Sequence, residues 1–125
     1  MEPPPTPREQ IAVHRSGNHA AVVTLRGEHD LYGSLSLQRR LEAVAREGLA
    51  VIVDLREATF LDSATIGVLL LAHREAARRR QRFVLVLDGS TGWPLRQILE
   101  VTGLVDVFVI AETVEEALRS PRLAA

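Results

Sequence analysis

The chain has 125 residues and a net charge of -1; 46% of its residues are hydrophobic, 25% are charged, and none is cysteine. That suits one domain with a buried core and gives no bias toward nucleic acid or a membrane surface. The missing cysteine excludes disulfides, thiol catalysis and cysteine-based zinc sites. No apolar run approaches the ~20 residues of a membrane span. The N-terminus carries no basic segment followed by an apolar core, so a cytoplasmic protein is expected.

Met1 to Arg8 holds Pro3, Pro4, Pro5 and Pro7, which favours an extended, loosely held tail. We set a Pro-rich tail at residues 1–9, one domain at 10–119 and a short tail at 120–125. Ile11 to Arg15 is a strand candidate, Ser16-Gly17-Asn18 a turn, and His19 to Leu25 a second strand, so an antiparallel hairpin is expected. Gly27 ends that strand and Glu28-His29-Asp30 reads as a polar loop. Leu31, Leu35, Leu37, Leu41, Val44 and Ala45 predict a helix from about Gly33 to Glu47, stopped by Gly48. Val51 to Leu55 is apolar at successive positions, as in a strand covered on both faces. Arg56 to Thr59 reads as a loop, with Phe60 and Leu61 returning the chain to the core.

A second helix is expected from Ser63 to about Arg80, with Ile66, Leu69, Leu70, Ala76 and Ala77 inside. Val68, Leu71 and Ala72 widen its apolar band, either beneath neighbouring helices or as an exposed docking patch. Phe83 to Leu87 is a further buried strand. Asp88 to Gly92 is a loop, and Pro94 suits the first turn of a third helix carrying Leu95, Ile98 and Leu99 and closed by Gly103. Val107 to Ala111 is the last strand, and Thr113 and Glu116 form a capping box for a final helix. Strands and helices that alternate this way predict an α/β fold: a mixed central sheet, with an N-terminal hairpin, parallel βα units and about four helices.

Asp62 is a good N-cap, because its carboxylate can accept from free N–H groups of the first turn. Ser63 then takes the first helical position, near the surface at the positive end of the dipole. A phosphoryl group added there would meet free donors and a favourable field. The plainer reading is an ordinary helix-start serine.

DLREATFLDSATIGVLLLA, from Asp54 to Ala72, resembles the signature of STAS domains, specifically the anti-sigma factor antagonists. Leu25-Arg26-Gly27-Glu28-His29-Asp30 resembles the family's Gly-Glu-apolar-Asp segment. Leu99-Glu100-Val101-Thr102-Gly103-Leu104, followed by Phe108, resembles its helix-ending segment. The resemblance covers roughly Gln10 to Leu118. Ala64 stands where the family often has a second hydroxyl, and Thr65 where it often has glycine. The resemblance implies that Ser63 is a phosphorylation site on a protein that is not an enzyme and needs no cofactor or metal. It implies an anti-sigma factor with serine kinase activity as partner, bound when Ser63 is unphosphorylated so that a sigma factor is freed for transcription, and a serine phosphatase that reverses the modification. The implied partner-binding residues are Glu28, Asp30, Asp62, Ser63, Ala64, Thr65, Ile66 and Gly67. The alternative within the family is a STAS subunit or scaffold of a transport or signalling complex, without phosphorylation at Ser63.

Other chemistries find less support. Ser63 lacks a Gly-x-Ser-x-Gly elbow, and His73 lies ten residues on, about 15 Å along the same helix. His14, His19, His29 and His73 have no metal-ligand spacing and read as surface or strand residues; the alternative for His29, beside the Ser63 site, is to tune phosphate recognition. Gly89-Ser90-Thr91-Gly92 lacks the lysine of a phosphate loop. Arg78, Arg79, Arg80 and Arg82 read as a solvated helix end complementing the dipole. Glu28, Asp30 and Asp62 would form an acidic rim around the Ser63 hydroxyl if their loops meet at one sheet edge; otherwise the two aspartates only cap helices.

Overall fold

The computed structural model describes residues 10–89 and 93–120. The Pro-rich tail, the Ser90-Thr91-Gly92 part of the third loop and the last five residues lie outside them. Five strands form the main sheet in the order β1 (Ile11–Ser16), β2 (Ala20–Leu25), β4 (Ala50–Asp54), β6 (Phe83–Val86) and β7 (Val109–Ala111). β1 and β2 are the antiparallel hairpin. The remaining pairs are parallel, with Ala20 beside Ala50, Val51 beside Phe83 and Val84 beside Val109.

Residue parity divides the core. Val23, Val51, Val53, Phe83 and Leu85 point to the face covered by α1 (Leu31–Arg46), α2 (Ser63–Arg78) and α3 (Trp93–Val101). Val22, Ala50, Ile52, Val84 and Val86 point to the other face, with Ala117 of α4 (Val114–Arg119). This is why β4 and β6 read as continuous apolar runs.

Two segments read as loops are strands. β3 (Gly27–His29) pairs in parallel with β5 (Ala58–Leu61), apart from the main sheet. Gly27 allows the departure: it has φ +72°, a conformation open to glycine at little cost, and its N–H donates to Glu57 O at 3.0 Å. Helix limits also shift. α1 begins two residues earlier than expected because Asp30 caps it, accepting from Tyr32 N at 3.0 Å. Gly48, with φ +78°, stops it. α4 has the expected cap, Glu116 N donating to Thr113 Oγ1 at 3.0 Å, while the Glu116 carboxylate accepts from Glu112 N.

Arg78, Arg79 and Arg80 are exposed, as expected of a solvated helix end, whereas Arg82 is half-buried. Arg78 pairs with Glu75 at 2.8 Å. Arg82 donates to Leu118 O and Ser120 O at 2.9 and 2.8 Å, capping the C-terminal end of α4. His73 is likewise buried, against the surface position expected for it. It meets Phe108 and Phe83 edge-on, at centroid distances of 5.3 and 5.9 Å. No helix among the described residues is long and apolar enough to cross a membrane.

Candidate functional site

β3 and β5 end together, and each is followed by an aspartate and a helix. Their register sets His29 beside Leu61, and Asp62 N donates to His29 O at 3.1 Å. Asp30 and Asp62 therefore stand side by side, and the N-termini of α1 and α2 are neighbours. Glu28 is exposed and pairs with Phe60 one step back along the same ladder. The two acidic segments meet, as an acidic rim requires.

Asp62 ties the corner together. Its Oδ1 accepts from Thr65 N and from Thr65 Oγ1, each at 2.9 Å. The N–H groups of Leu31, at the start of α1, and of Ala64 add smaller favourable electrostatic contributions to its charged form. These bonds, led by the one from Thr65 N, hold the carboxyl below the usual carboxylate range. Asp62 is therefore ionised at neutral pH, a fixed negative charge beside Ser63. One of the first-turn donors expected to be free for a phosphoryl group, Thr65 N, is taken by this carboxylate. A phosphoryl group on Ser63 would add ~1.5–2 negative charges next to it.

Ser63 is exposed at the first position of α2, and Ala64, Ile66 and Gly67 are half-buried. Thr65 corrects the expectation that it lines a docking surface: it is completely buried. Its hydroxyl points inward because it donates to Asp62, a bond that glycine at this position would lack. Ile66 packs partly against the core. A Cβ added at Gly67 would meet nothing within 4 Å, so no internal packing demands glycine there. His29 lies beneath the corner, 3% exposed, with Nε2 2.9 Å from Arg26 O. It is a buried brace, not a surface group that meets phosphate.

Ion pairs secure the loops behind the site. Asp54 binds Arg56 through two contacts, at 2.9 and 2.8 Å, and also accepts from Arg56 N at 3.1 Å. That carboxylate raises the Arg56 guanidinium above its ordinary value. Arg26 meets Glu57 at 3.0 Å. Among the described residues no three His, Asp or Glu side chains are grouped to hold a metal ion.

Sequence reasoning missed an apolar collar. Leu31, Tyr32 and Leu35 at the start of α1 are 66%, 94% and 53% exposed, and Phe60 on β5 is 47% exposed. Leu31, Leu35 and Phe60 were expected in the core. The signal for the two leucines was present: at about 100° per residue they lie more than 100° around the helix from the centre of the Leu37, Leu41 and Val44 stripe.

Comparison with known proteins matches the STAS domain family over residues 10–117. The chain belongs to the STAS domain family. It is 33% identical over 85 residues to the anti-sigma-B factor antagonists of Listeria monocytogenes and Listeria innocua, an alignment covering 67% of this chain and 72% of each relative. A crystal structure of an anti-sigma factor antagonist from Mycobacterium paratuberculosis superposes with a TM-score of 0.74 at 25% identity, covering 86% of this chain and 89% of that one. The phosphorylated form of the Bacillus cell fate determinant SpoIIAA shares the fold, with a TM-score of 0.69 at 22% identity, over 90% of this chain and 99% of that one.

Proposed function

We propose that this STAS protein is an anti-sigma factor antagonist that switches partners at Ser63. With Ser63 bare, the corner formed by the starts of α1 and α2 binds an anti-sigma factor and frees a sigma factor for transcription. The anti-sigma factor, acting as an ATP-dependent serine kinase, phosphorylates Ser63 and so dissolves the complex, and a serine phosphatase restores it. The antagonist itself contributes no catalytic group; ATP and its metal belong to the kinase.

One observation carries this reading: exposed Ser63 follows Asp62, which is ionised at neutral pH, and the neighbouring start of α1 and β5 expose Leu31, Tyr32 and Phe60. The collar offers a partner Tyr32, Leu31 and Phe60 to bury. Gly67 costs about 1 kcal/mol of helix stability relative to alanine with no packing reason inside the chain, which supports close approach by a partner. The relatives' names support the same class of partner. A phosphoryl group held against Asp62 in a dry interface would be repelled, and a loss of about 4 kcal/mol weakens binding about a thousandfold.

The test is to incubate the protein with ATP and an anti-sigma kinase candidate from the same genome, and to map the product by mass spectrometry. One phosphate on Ser63 in the native sequence, and none on Ser63→Ala, is the expected result. Stable complexes with transport or signalling components, with no added mass, would point instead to a constitutive STAS scaffold.

A further inference from the structure

Thr65 is the fully buried member of the Ser63 corner. Its hydroxyl and its backbone N–H both donate to Asp62 Oδ1, each at 2.9 Å. At that depth no bulk water is at hand to replace Asp62 as acceptor, and a buried hydroxyl stripped of its partner is costly. Two bonds therefore hold the carboxylate on the cap of α2. The side-chain bond exists only because residue 65 carries a hydroxyl.

A phosphoryl group on Ser63 is a rival for that cap. It brings strong acceptor oxygens and ~1.5–2 negative charges to the first helical position. The N–H groups of a helix's first turn attract any anion, phosphate as well as carboxylate. If Asp62 let go, phosphate could take Thr65 N and fold back onto the helix. The carboxylate would then swing away, and the repulsion between the two groups would fall. The Thr65 hydroxyl opposes this exchange, because releasing Asp62 breaks both bonds and leaves the buried hydroxyl to find another acceptor. Ala64, between Ser63 and Thr65, has no side-chain donor that would hold phosphate in return.

We propose that Thr65 is a positioning residue for the modification site: its hydroxyl locks Asp62 on the cap, so that a phosphoryl group on Ser63 is kept off the helix and presented outward. Thr65 acts through Asp62 and not by contact with a partner. This rests on the reading of Ser63 as the modified residue and adds what decides where the added charge points.

The test uses the full chain, ¹⁵N-labelled, with phosphoserine installed at position 63 during translation, so that neither kinase nor partner is needed. The native residue at 65 is compared with Thr65→Ser, which keeps the hydroxyl, and with Thr65→Val and Thr65→Ala, which lack it. The backbone amide of residue 65 is followed from about pH 8 to about pH 3, a range in which phosphate titrates near ~6 and carboxylates near ~4. In the native and Thr65→Ser chains its main shift should come with the carboxylate step. In Thr65→Val and Thr65→Ala the main shift should pass to the phosphate step, with the rest of the spectrum still folded. A native chain whose residue-65 amide follows phosphate would overturn the proposal. So would a folded Thr65→Val or Thr65→Ala chain whose amide still follows the carboxylate. Calorimetry with the anti-sigma factor separates the two readings: equal binding of the bare and phosphorylated native chains would refute the partner switch, whereas the amide titration decides the role of Thr65 by itself.

Discussion

The two ends of α2 use their side chains in opposite ways. At the C-terminal end, His73 is wedged between Phe83 and Phe108, and Arg78 is held by Glu75. At the N-terminal end, local caps satisfy the backbone: Asp30 for α1 and Asp62 for α2. Caps fix geometry without using bulky side chains, so Ser63, Tyr32, Leu31 and Phe60 can face outward. The contrast teaches that one helix can be anchored at one end and left open for recognition at the other.

The largest expected effect is on the anchored end. Phe83→Ala should cost about 3–5 kcal/mol in urea unfolding, because the ring is buried between the helices and the sheet. A loss below about 1 kcal/mol would mean that the region is not a packed anchor. At the open end the effect should fall on binding. Tyr32→Ala should weaken the complex with the anti-sigma factor about 30-fold, equivalent to about 2 kcal/mol. Its unfolding free energy should change by less than about 0.5 kcal/mol. Equal losses in stability and binding would erase the distinction between the two ends.

Caps and glycine give smaller effects. Asp30→Ala should cost about 1 kcal/mol of stability through the lost cap. Gly67→Ala should instead stabilise the free protein by about 0.5–1 kcal/mol while weakening the complex, since it meets no neighbour within the chain. Asp62 adds a pH dependence of fixed sign. Its folded value is depressed, so its contribution is present above the ordinary carboxylate value of about 4 and is lost as pH falls through the folded value. Asp62→Asn should therefore show a shallower loss of stability on acidification, read from thermal melts across the acid range.

Much of the fold was legible because parallel βα units write themselves as alternating apolar runs and helix stripes. Ser63 was legible through its cap, and Gly48 and Thr113 through theirs. The β3–β5 pair was not: Gly27-Glu28-His29 has poor strand propensity, and its partner lies about thirty residues away, so no local pattern reports it. Thr65 was misplaced because helical position alone does not say that its hydroxyl turns inward to Asp62. His73 looked like a surface residue because only tertiary packing supplies the two phenylalanine rings. The apolar collar escaped notice because leucine at a helix start was counted as core without checking its angle against the Leu37–Leu41–Val44 stripe.

The most direct measurement is calorimetric binding of the anti-sigma factor to the native protein, Ser63→Ala and Ser63→Asp, each first shown to unfold at the same urea concentration. The expected result is similar affinity for the native protein and Ser63→Ala, with binding by Ser63→Asp weaker by at least a hundredfold. Equal affinity for all three would show that added charge beside Asp62 does not govern this surface, and would contradict a switch at Ser63.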